Sequence, residues 1–355
     1  MGHIKAYTSL RGIAAWWVVF YHFREALPLS ASGFLYGLIE LGYISVDFFF
    51  VLSGFVIYLN YARLLTTLNA ATMIEFLVKR LARVYPLYLV VTLAYLSVPL
   101  AYWLTGRTLP GAERFALPYF VAMLTMVQNW GGFDQLAWNI PAWSISTEFA
   151  AYLLFPLMVR VLLRFEWRAW GCCIGILVLA SVLFAVYAFN GMHDIGEDIP
   201  GLGLCRCVAE FAMGVLIGRL HALPGHGSPR SARLATAAIA VLIGLAVANS
   251  ALPNYAYVPL IFTLLIYLLS TQPSWSQRLF GSNALVYLGE ISYSTYLCHF
   301  LVKDWVKLLS NQVGLTQFGL YVVTILILSH CLYRWIEVPG RRWGRSLLEA
   351  QRNAR

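Results

Sequence analysis

Residues 42–55 read Gly-Tyr-Ile-Ser-Val-Asp-Phe-Phe-Phe-Val-Leu-Ser-Gly-Phe. The stretch belongs to a longer apolar segment that starts near Gly37, yet it contains the acidic residue Asp47. Such a segment is typical of a helix that lies in a membrane, where a carboxylate is costly and needs a partner or a function. The stretch therefore predicts both a membrane-embedded fold and a polar site within it.

The composition of the whole chain agrees with this interpretation. Of its 355 residues, 60% are hydrophobic and 12% are charged, and the mean hydropathy is +0.70. Soluble domains carry about 25% charged residues, so lipid must be the solvent for most of this chain. The net charge of +9 comes from short loops and the C-terminal tail, where Arg341, Arg342 and Arg345 lie, which is the usual pattern of cytoplasmic loops and does not indicate a nucleic-acid partner. Glu337 is expected to pair with one of these tail arginines. The six cysteines form no CxxC pair, so we expect no metal site.

The loop charges decide between two topologies. If residues 116–130 cross the membrane, the basic loop 160–168 falls outside, against the positive-inside rule; if they form a short or re-entrant segment, every basic loop falls inside. We therefore predict an all-α polytopic membrane helix bundle of about ten transmembrane helices, with both termini cytoplasmic and the acidic loop 194–198 outside. The eleven hydropathy candidates begin near Tyr7, Gly37, Val84, Ala116, Ile145, Trp170, Gly203, Leu234, Tyr255, Leu285 and Gln317.

The chain shows no internal boundary. We expect a single transmembrane domain over residues 1–345, followed by a basic cytoplasmic tail over residues 346–355. No long-period or inverted repeat is found, which weighs weakly against a transporter.

Two histidines are candidates for chemistry at membrane depth. Arg11 and His22 are eleven residues apart, which places them on the same side of a helix with His22 about 16 Å deeper. A neutral imidazole suits a general base that acts on a hydroxyl, and the alternative is a core histidine bonded to a neighbouring helix. His299 is a second candidate. Asp47 either orients His22 or pairs with an arginine to stabilise the bundle.

Arg80 and Arg83 lie one helical turn apart in the sequence Lys-Arg-Leu-Ala-Arg-Val-Tyr-Pro. They are either an ordinary cytoplasmic cluster or a fork that binds the phosphates of a cofactor.

Polar and aromatic residues also cluster at residues 138–148. Ser144 or Ser146 can cap a helix, but Glu148 lies too far into the apolar run for capping alone to explain it. Trp138 and Trp143 form either a platform for a sugar or an aromatic belt at the outer interface.

Small residues indicate where helices approach each other closely. Gly54 and the Gly214-xxx-Gly218 pair predict close helix contacts. Arg206 and Glu210, four residues apart in the same segment, are expected to pair.

In this order the motifs resemble the integral-membrane acyltransferase 3 family, which includes bacterial O-acyltransferases of O-antigen, exopolysaccharide and Nod factors. The resemblance covers roughly residues 5–342, and Ser45 stands where the family has glycine. The matching motifs are Arg11-x10-His22, Ser45-Val-Asp47-Phe-Phe-Phe-Val-Leu-Ser-Gly-Phe55, Arg80-x-x-Arg83, Trp143-Ser-Ile-Ser-Thr-Glu148, Ile291-Ser-Tyr-Ser-Thr-Tyr-Leu-Cys-His299 and Glu337-x-Pro339.

The resemblance implies a membrane O-acyltransferase. The donor is expected to be acyl-CoA, most often acetyl-CoA, bound from the cytoplasm, and the acceptor a hydroxyl of a cell-surface or exported glycan or a lipid-linked sugar. Membrane lipid is the other expected partner, and the location a bacterial cytoplasmic (inner) membrane. Some family members carry a fused extracytoplasmic SGNH domain; this chain ends shortly after Arg342, so that activity is expected to need a separate extracytoplasmic partner.

The expected mechanism divides the residues between two sides. Arg80 and Arg83 hold the phosphates of CoA, and Arg11 assists. His22, oriented by Asp47, takes the proton of the attacking hydroxyl, and both direct transfer and an acyl-His22 intermediate fit. Glu148 is the third expected catalytic residue and shapes the acceptor side. The remaining residues expected to contact the acceptor are Trp138, Trp143, Ser144 and His299.

A different class of function stays open at this point. A proton-coupled transporter or flippase of a lipid-linked sugar could use His22, Asp47 and Glu148 as a proton relay. The arginines distinguish the two functions, because a transferase needs Arg80 and Arg83 for CoA and a transporter should tolerate lysine there.

Overall fold

The computed structural model describes residues 5–353, except residues 31, 166, 250, 273, 311 and 312. All regular secondary structure in this part of the chain is helical. The α-helices are α1 Lys5–His22, α2 Phe34–Glu40, α3 Ser45–Tyr61, α4 Ala70–Ala94, α5 Ser97–Leu104, α6 Leu117–Leu124, α7 Trp143–Arg164, α8 Ala169–Phe189, α9 Ile199–His221, α10 Pro229–Ala248, α11 Val258–Ser270, α12 Ser274–Phe280, α13 Asn283–Glu290, α14 Ser292–Leu309, α15 Leu315–Leu332 and α16 Val338–Asn353.

The prediction of an all-α, multi-pass membrane bundle is confirmed. Within the described residues, seven helical stretches are long and apolar enough to cross a membrane, and an eighth is added if the bent pair α11 and α12 counts as one span. The seven stretches are Phe34–Tyr61, Ala70–Leu104, Ile140–Arg164, Ala169–Phe189, Ile199–His221, Pro229–Ala248 and Leu315–Glu349.

Helices α1, α6 and α14 are not among the seven apolar stretches. Helix α6 has eight residues and is therefore about 12 Å long, too short to cross the roughly 30 Å hydrocarbon layer. The charge pattern predicted a short segment at this place. Helices α1 and α14 have 18 residues each but are not among the seven apolar stretches, because α1 carries Lys5 and Arg11 and α14 carries Lys303, Asp304 and Lys307.

Helix starts follow ordinary capping chemistry. The Asn69 side chain accepts a hydrogen bond of 2.9 Å from the Thr72 N–H at the start of α4, and the Thr72 hydroxyl accepts one from the Asn69 N–H. Asp198 caps α9 through the N–H of Gly201, and Pro200 occupies the first turn. These caps fix where the long helices begin on either side of the bundle.

Helices α3 and α9 form a very close contact. A Cβ atom on Gly54 would lie 1.9 Å from the carbonyl oxygen of Phe211, and one on Gly214 would lie 2.0 Å from that of Val51. A Cβ atom on Gly218 would lie 2.6 Å from the ring of Tyr58. The predicted close packing at these glycines is confirmed, and backbone approach replaces side-chain interdigitation at this contact.

A buried ion pair joins the same two helices. Arg206 donates from Nε to Asp47 Oδ1 at 2.7 Å and from its terminal nitrogen to Oδ2 at 2.6 Å. Asp47 is fully buried, and Arg206 is 1% exposed. The expected pairing of Arg206 with Glu210 is wrong, because a residue four positions away on one helix cannot offer the bidentate geometry that Asp47 offers from the facing helix. Of the two roles that the sequence left open for Asp47, the structure shows the arginine pair.

The glycine contact predicts a large difference between two glycine-to-alanine variants. Gly54→Ala forces a methyl group into the Phe211 carbonyl, so we expect the free energy of unfolding to fall by about 1–3 kcal/mol, seen as a lower Tm in detergent. Gly244 in α10 has no atom within 4 Å of a Cβ position, so Gly244→Ala should leave the Tm unchanged or raise it through helix propensity. Equal shifts in the two variants would contradict the proposed packing.

Candidate active site

A cavity of about 600 Å³ opens between α1, α3, α4, α7, α14 and α16. Its lining contains six cationic side chains and, among the described residues, one carboxylate, Glu148. Apolar and aromatic residues such as Phe49, Phe50 and Leu52 form another part of the wall. The six cations are Arg11, Lys79, Arg80, Arg83, Arg341 and Arg345.

Two of the partly buried cations lack a partner in the described part of the chain. Arg11 and Arg83 form no hydrogen bond and no ion pair within the described residues, although both are partly buried. Arg80 donates one hydrogen bond of 3.2 Å to the hydroxyl of Tyr152, and its Nε is buried without a partner. A cation at membrane depth is costly, so unpaired guanidinium groups in a cavity indicate a site for an anionic ligand.

The arginines of α16 reach the cavity because this helix packs closely on α4. A Cβ atom on Gly344 would lie 2.1 Å from the Cβ of Ala82, and Gly340 lies against Pro86. The cavity contribution of Arg341 and Arg345 was missed by sequence analysis, which read them as tail charges. The sequence contained a signal for this arrangement. Gly340 and Gly344 are four residues apart, and so are Arg341 and Arg345, so each pair lies along one row of the helix and the two rows are adjacent.

Arg341 is held at the cavity by a carboxylate. It pairs with Glu337, one turn earlier, which confirms the expected pairing of Glu337 with a tail arginine. Glu337 also accepts a hydrogen bond of 3.0 Å from the hydroxyl of Ser294 on α14. Glu337 ends a short π-helical segment, Tyr333–Glu337, between α15 and α16, and such segments are frequent at functional sites.

Glu148 lies in the cationic cavity. Its carboxylate accepts hydrogen bonds from the hydroxyls of Ser53 and Tyr152, the latter at 2.5 Å. Since Tyr152 also accepts from Arg80, one tyrosine connects the carboxylate to the arginine. The structure therefore brings Glu148 together with the residues expected on the donor side.

His22 is the last residue of α1, and His299 lies in the middle of α14. The two histidines form a direct pair. Nδ1 of His299 lies 2.6 Å from the carbonyl oxygen of Tyr296, which can only accept, so this nitrogen carries the proton. Nε2 of a neutral His299 is then an acceptor, and it lies 3.2 Å from Nδ1 of His22. His22 Nδ1 also faces the carbonyl oxygen of Val18 at 3.0 Å. Nδ1 of His22 is thus the donor, and its Nε2 keeps a free lone pair.

The histidine pair does not line the cavity. The cavity ends at Tyr296, whose hydroxyl is 2.8 Å from that of Ser144 and whose ring centre is 5.8 Å from that of His299. The ring centres of His299 and His22 are 5.0 Å apart. One aromatic side chain therefore separates the cationic cavity from the histidine pair.

The remaining predicted site residues lie elsewhere. Both carboxylate oxygens of Asp47 bind Arg206, and the ring contacts of His22 are made with Tyr21, His299 and Phe300. Ser144 lines the cavity, as a predicted contact residue should. Trp138 and Trp143 are 5% and 6% exposed. Trp138 packs on two phenylalanine rings, and Trp143 packs on Phe50 and Arg206.

Comparison with known proteins agrees with this architecture. The model of the acyltransferase domain family Acyl_transf_3 matches residues 4–334. The acyltransferase MdmB of Streptomyces mycarofaciens is 31% identical over 302 residues, which cover 77% of this chain and 72% of the relative. The exopolysaccharide production protein ExoZ of Rhizobium meliloti is 26% identical over 86% of this chain and 92% of its own.

A Staphylococcus aureus (strain COL) protein with the provisional name of an O-acetyltransferase is 25% identical over 97% of this chain. The chain spans only 58% of that relative's length. No solved structure matches the chain. Because the family model covers nearly the whole sequence, and a helical membrane bundle with a cationic cavity is present, the chain belongs to the acyltransferase 3 family of integral-membrane acyltransferases.

Proposed function

We propose that this protein transfers an acyl group, most often acetyl, from acyl-CoA to a hydroxyl of a cell-surface or exported glycan. The observation that carries the proposal is the cationic cavity with its unpaired guanidinium groups, Arg11 and Arg83. CoA is a polyanion whose phosphates need such partners, and arginine forks bind phosphate oxygens in pairs. The apolar wall at Phe49, Phe50 and Leu52 suits the pantetheine arm and a small acyl group.

The proposed topology puts this cavity on the cytoplasmic side of a bacterial inner membrane, where CoA is found. We infer ten spans, namely the seven apolar stretches together with α1, α11 and α14, with both termini cytoplasmic. In this arrangement the start of α1 and the helix α16 lie on the same side of the membrane as the basic loops, as the positive-inside rule requires. The acidic loop 194–198 then lies outside.

The proposed chemistry uses His22 as the base. The free lone pair on its Nε2 takes the proton of the acceptor hydroxyl, while His299 holds the Nδ1–H tautomer. The oxygen attacks the thioester carbonyl, a C–O ester bond forms, the C–S bond breaks, and the proton passes from His22 to the CoA sulfur. The same lone pair would also serve an acyl-His22 intermediate. In either route His299 supplies the orientation expected from Asp47.

The thioester must pass Tyr296 to reach His22. The ring of Tyr296 stands between the cavity and the histidines, and it is tethered through its hydroxyl to Ser144 and to the carbonyl oxygen of Pro141. We propose that this side chain turns aside when the acyl arm enters.

Two relatives support a glycan or similar hydroxyl acceptor. The Rhizobium meliloti relative is named for exopolysaccharide production, and the Staphylococcus aureus relative is provisionally named for O-acetyl transfer. A transporter of lipid-linked sugars, the other function considered, should tolerate lysine at Arg80 and Arg83.

The first prediction concerns donor binding. In Arg80→Ala/Arg83→Ala the phosphates lose two charged partners, each worth about 1.5–3 kcal/mol, so the Kd for acetyl-CoA should rise at least about 100-fold. Isothermal titration of the purified protein in detergent measures it. The matched control is Arg230→Ala/Arg233→Ala, which removes two exposed arginines outside the cavity and should leave Kd unchanged.

Two results would contradict the donor site. One is saturable acetyl-CoA binding of wild-type affinity in the Arg80/Arg83 double variant. The other is an absence of binding in the wild type, which would favour the transporter and lead to assays of sugar-lipid movement in vesicles.

A second prediction separates the base from the residue that positions it. His22→Ala should lower the transfer rate about 10²–10⁴-fold without changing the Tm or the Kd for acetyl-CoA. His299→Leu removes the acceptor of the His22 N–H and should lower kcat with little effect on KM for acetyl-CoA. His299→Gln, whose side-chain oxygen can accept that proton, should recover part of kcat.

Equal kcat values in the leucine and glutamine variants of His299 would exclude the positioning role. Acetyl transfer at the wild-type rate in His22→Ala would exclude the assignment of the base.

A further inference from the structure

A second cavity of about 770 Å³, called the outer cavity below, lies at the N-terminal end of α3, whereas the lining of the cationic cavity continues along α3 to Tyr61. It is open to the surface and lies between the turn after α8 and the turn before α11. The two cavities have no lining residue in common among the described residues. Its aromatic and polar lining includes Tyr43, His193, Asp194, Asn254 and Tyr257.

The polar groups of this outer cavity form one hydrogen-bond network. Asp194 accepts from the hydroxyl of Tyr43 and, at 2.8 Å, from the side-chain nitrogen of Asn254. The same nitrogen of Asn254 donates to the Tyr43 hydroxyl at 2.6 Å. The N–H of Gly196 donates to the other oxygen of Asp194 at 2.6 Å. Three separate segments therefore hold the carboxylate in a fixed orientation.

The buried ion pair is connected to this network by hydrogen bonds. Arg206, paired with Asp47, also donates to the carbonyl oxygen of Ile195 at 3.0 Å. The N–H of the fully buried Ile195 donates to Asn254 at 2.7 Å. Asp47, in the first turn of α3, is thus connected through Arg206 and the backbone of Ile195 to Asn254 in the outer cavity.

The outer cavity also adjoins the proposed base. The ring of Tyr21 lies with its centre 5.7 Å from that of Tyr43, a wall of the cavity, and 4.9 Å from that of His22. Two ring contacts therefore lead from the cavity to His22 on one side, and the His299–Tyr296 contacts lead to the cationic cavity on the other.

We propose that the outer cavity binds the acceptor glycan, so that its hydroxyl approaches His22 from the side opposite to acyl-CoA. Sugars offer hydroxyls for bonds to a carboxylate and an amide, and apolar faces for aromatic rings, and this cavity combines Asp194 and Asn254 with Tyr43 and Tyr257. This inference rests on the proposed transferase function. It gives Asp47 the role of a positioning residue for the acceptor site.

The test blocks the outer cavity while leaving the donor site intact. Intact cells that produce His193→Cys are treated with a bulky, membrane-impermeant maleimide, and the opened membranes then receive radiolabelled acetyl-CoA. We expect labelling of the new cysteine from outside, confirmed by a mass shift. Base-labile acetyl esters in the glycan fraction should fall at least tenfold relative to the same variant without reagent, with unchanged acetyl-CoA binding.

The control Thr105→Cys places a cysteine at an exposed position after α5, on the same predicted face but outside the cavity, and its labelling should not affect ester formation. Tyr257→Ala should lower ester formation at least tenfold, whereas Tyr36→Ala, outside the cavity, should not. The wild type treated with the same reagent accounts for the natural cysteines.

The outcomes separate the two proposals. If the wild-type protein neither binds acetyl-CoA nor makes esters, the proposed transferase function is contradicted. If the wild type makes esters and the labelled His193→Cys protein makes them equally well, or if this cysteine cannot be labelled from outside, the acceptor site is overturned while the transferase function stands.

Discussion

A charge inside a lipid bilayer must be paired, hydrated or bound to a ligand, and this constraint governs every polar residue of the bundle. Asp47 and Arg206 satisfy it within the protein, by two hydrogen bonds between facing helices. Arg11 and Arg83 do not, because no carboxylate in the described part of the chain forms an ion pair with them. The contrast separates charges that hold the helices together from charges that are available to a ligand.

Sequence patterns predicted the features that depend on local periodicity. Hydropathy and loop charge predicted the multi-pass bundle and the short segment at α6. The motifs predicted Arg80, Arg83 and Glu148 as site residues, and all three line the cationic cavity. Pairings between helices were beyond such patterns. Asp47 and Arg206 are 159 residues apart, so their contact depends on how α3 and α9 pack, whereas the sequence of α9 alone suggested a pair between Arg206 and Glu210.

The same limitation explains the misjudged roles in the candidate site. His22 and His299 are 277 residues apart, and nothing in either helix alone shows that their rings meet. Sequence analysis therefore considered Asp47, a carboxylate in an apolar segment, as the residue that orients His22. Arg341 and Arg345 were read as tail charges because only the packing of Gly344 on Ala82 brings them to the cavity.

The aromatic layer between the two cavities has a consequence for the energy supply of the cell. Rings of Tyr21, Phe49, Tyr296 and Phe300 fill the space around the histidine pair, and the two cavities remain separate. A continuous aqueous path would let protons run down their gradient. With the layer closed, the proposed transfer would move only the acyl group between the two cavities and would leave no aqueous path for ions.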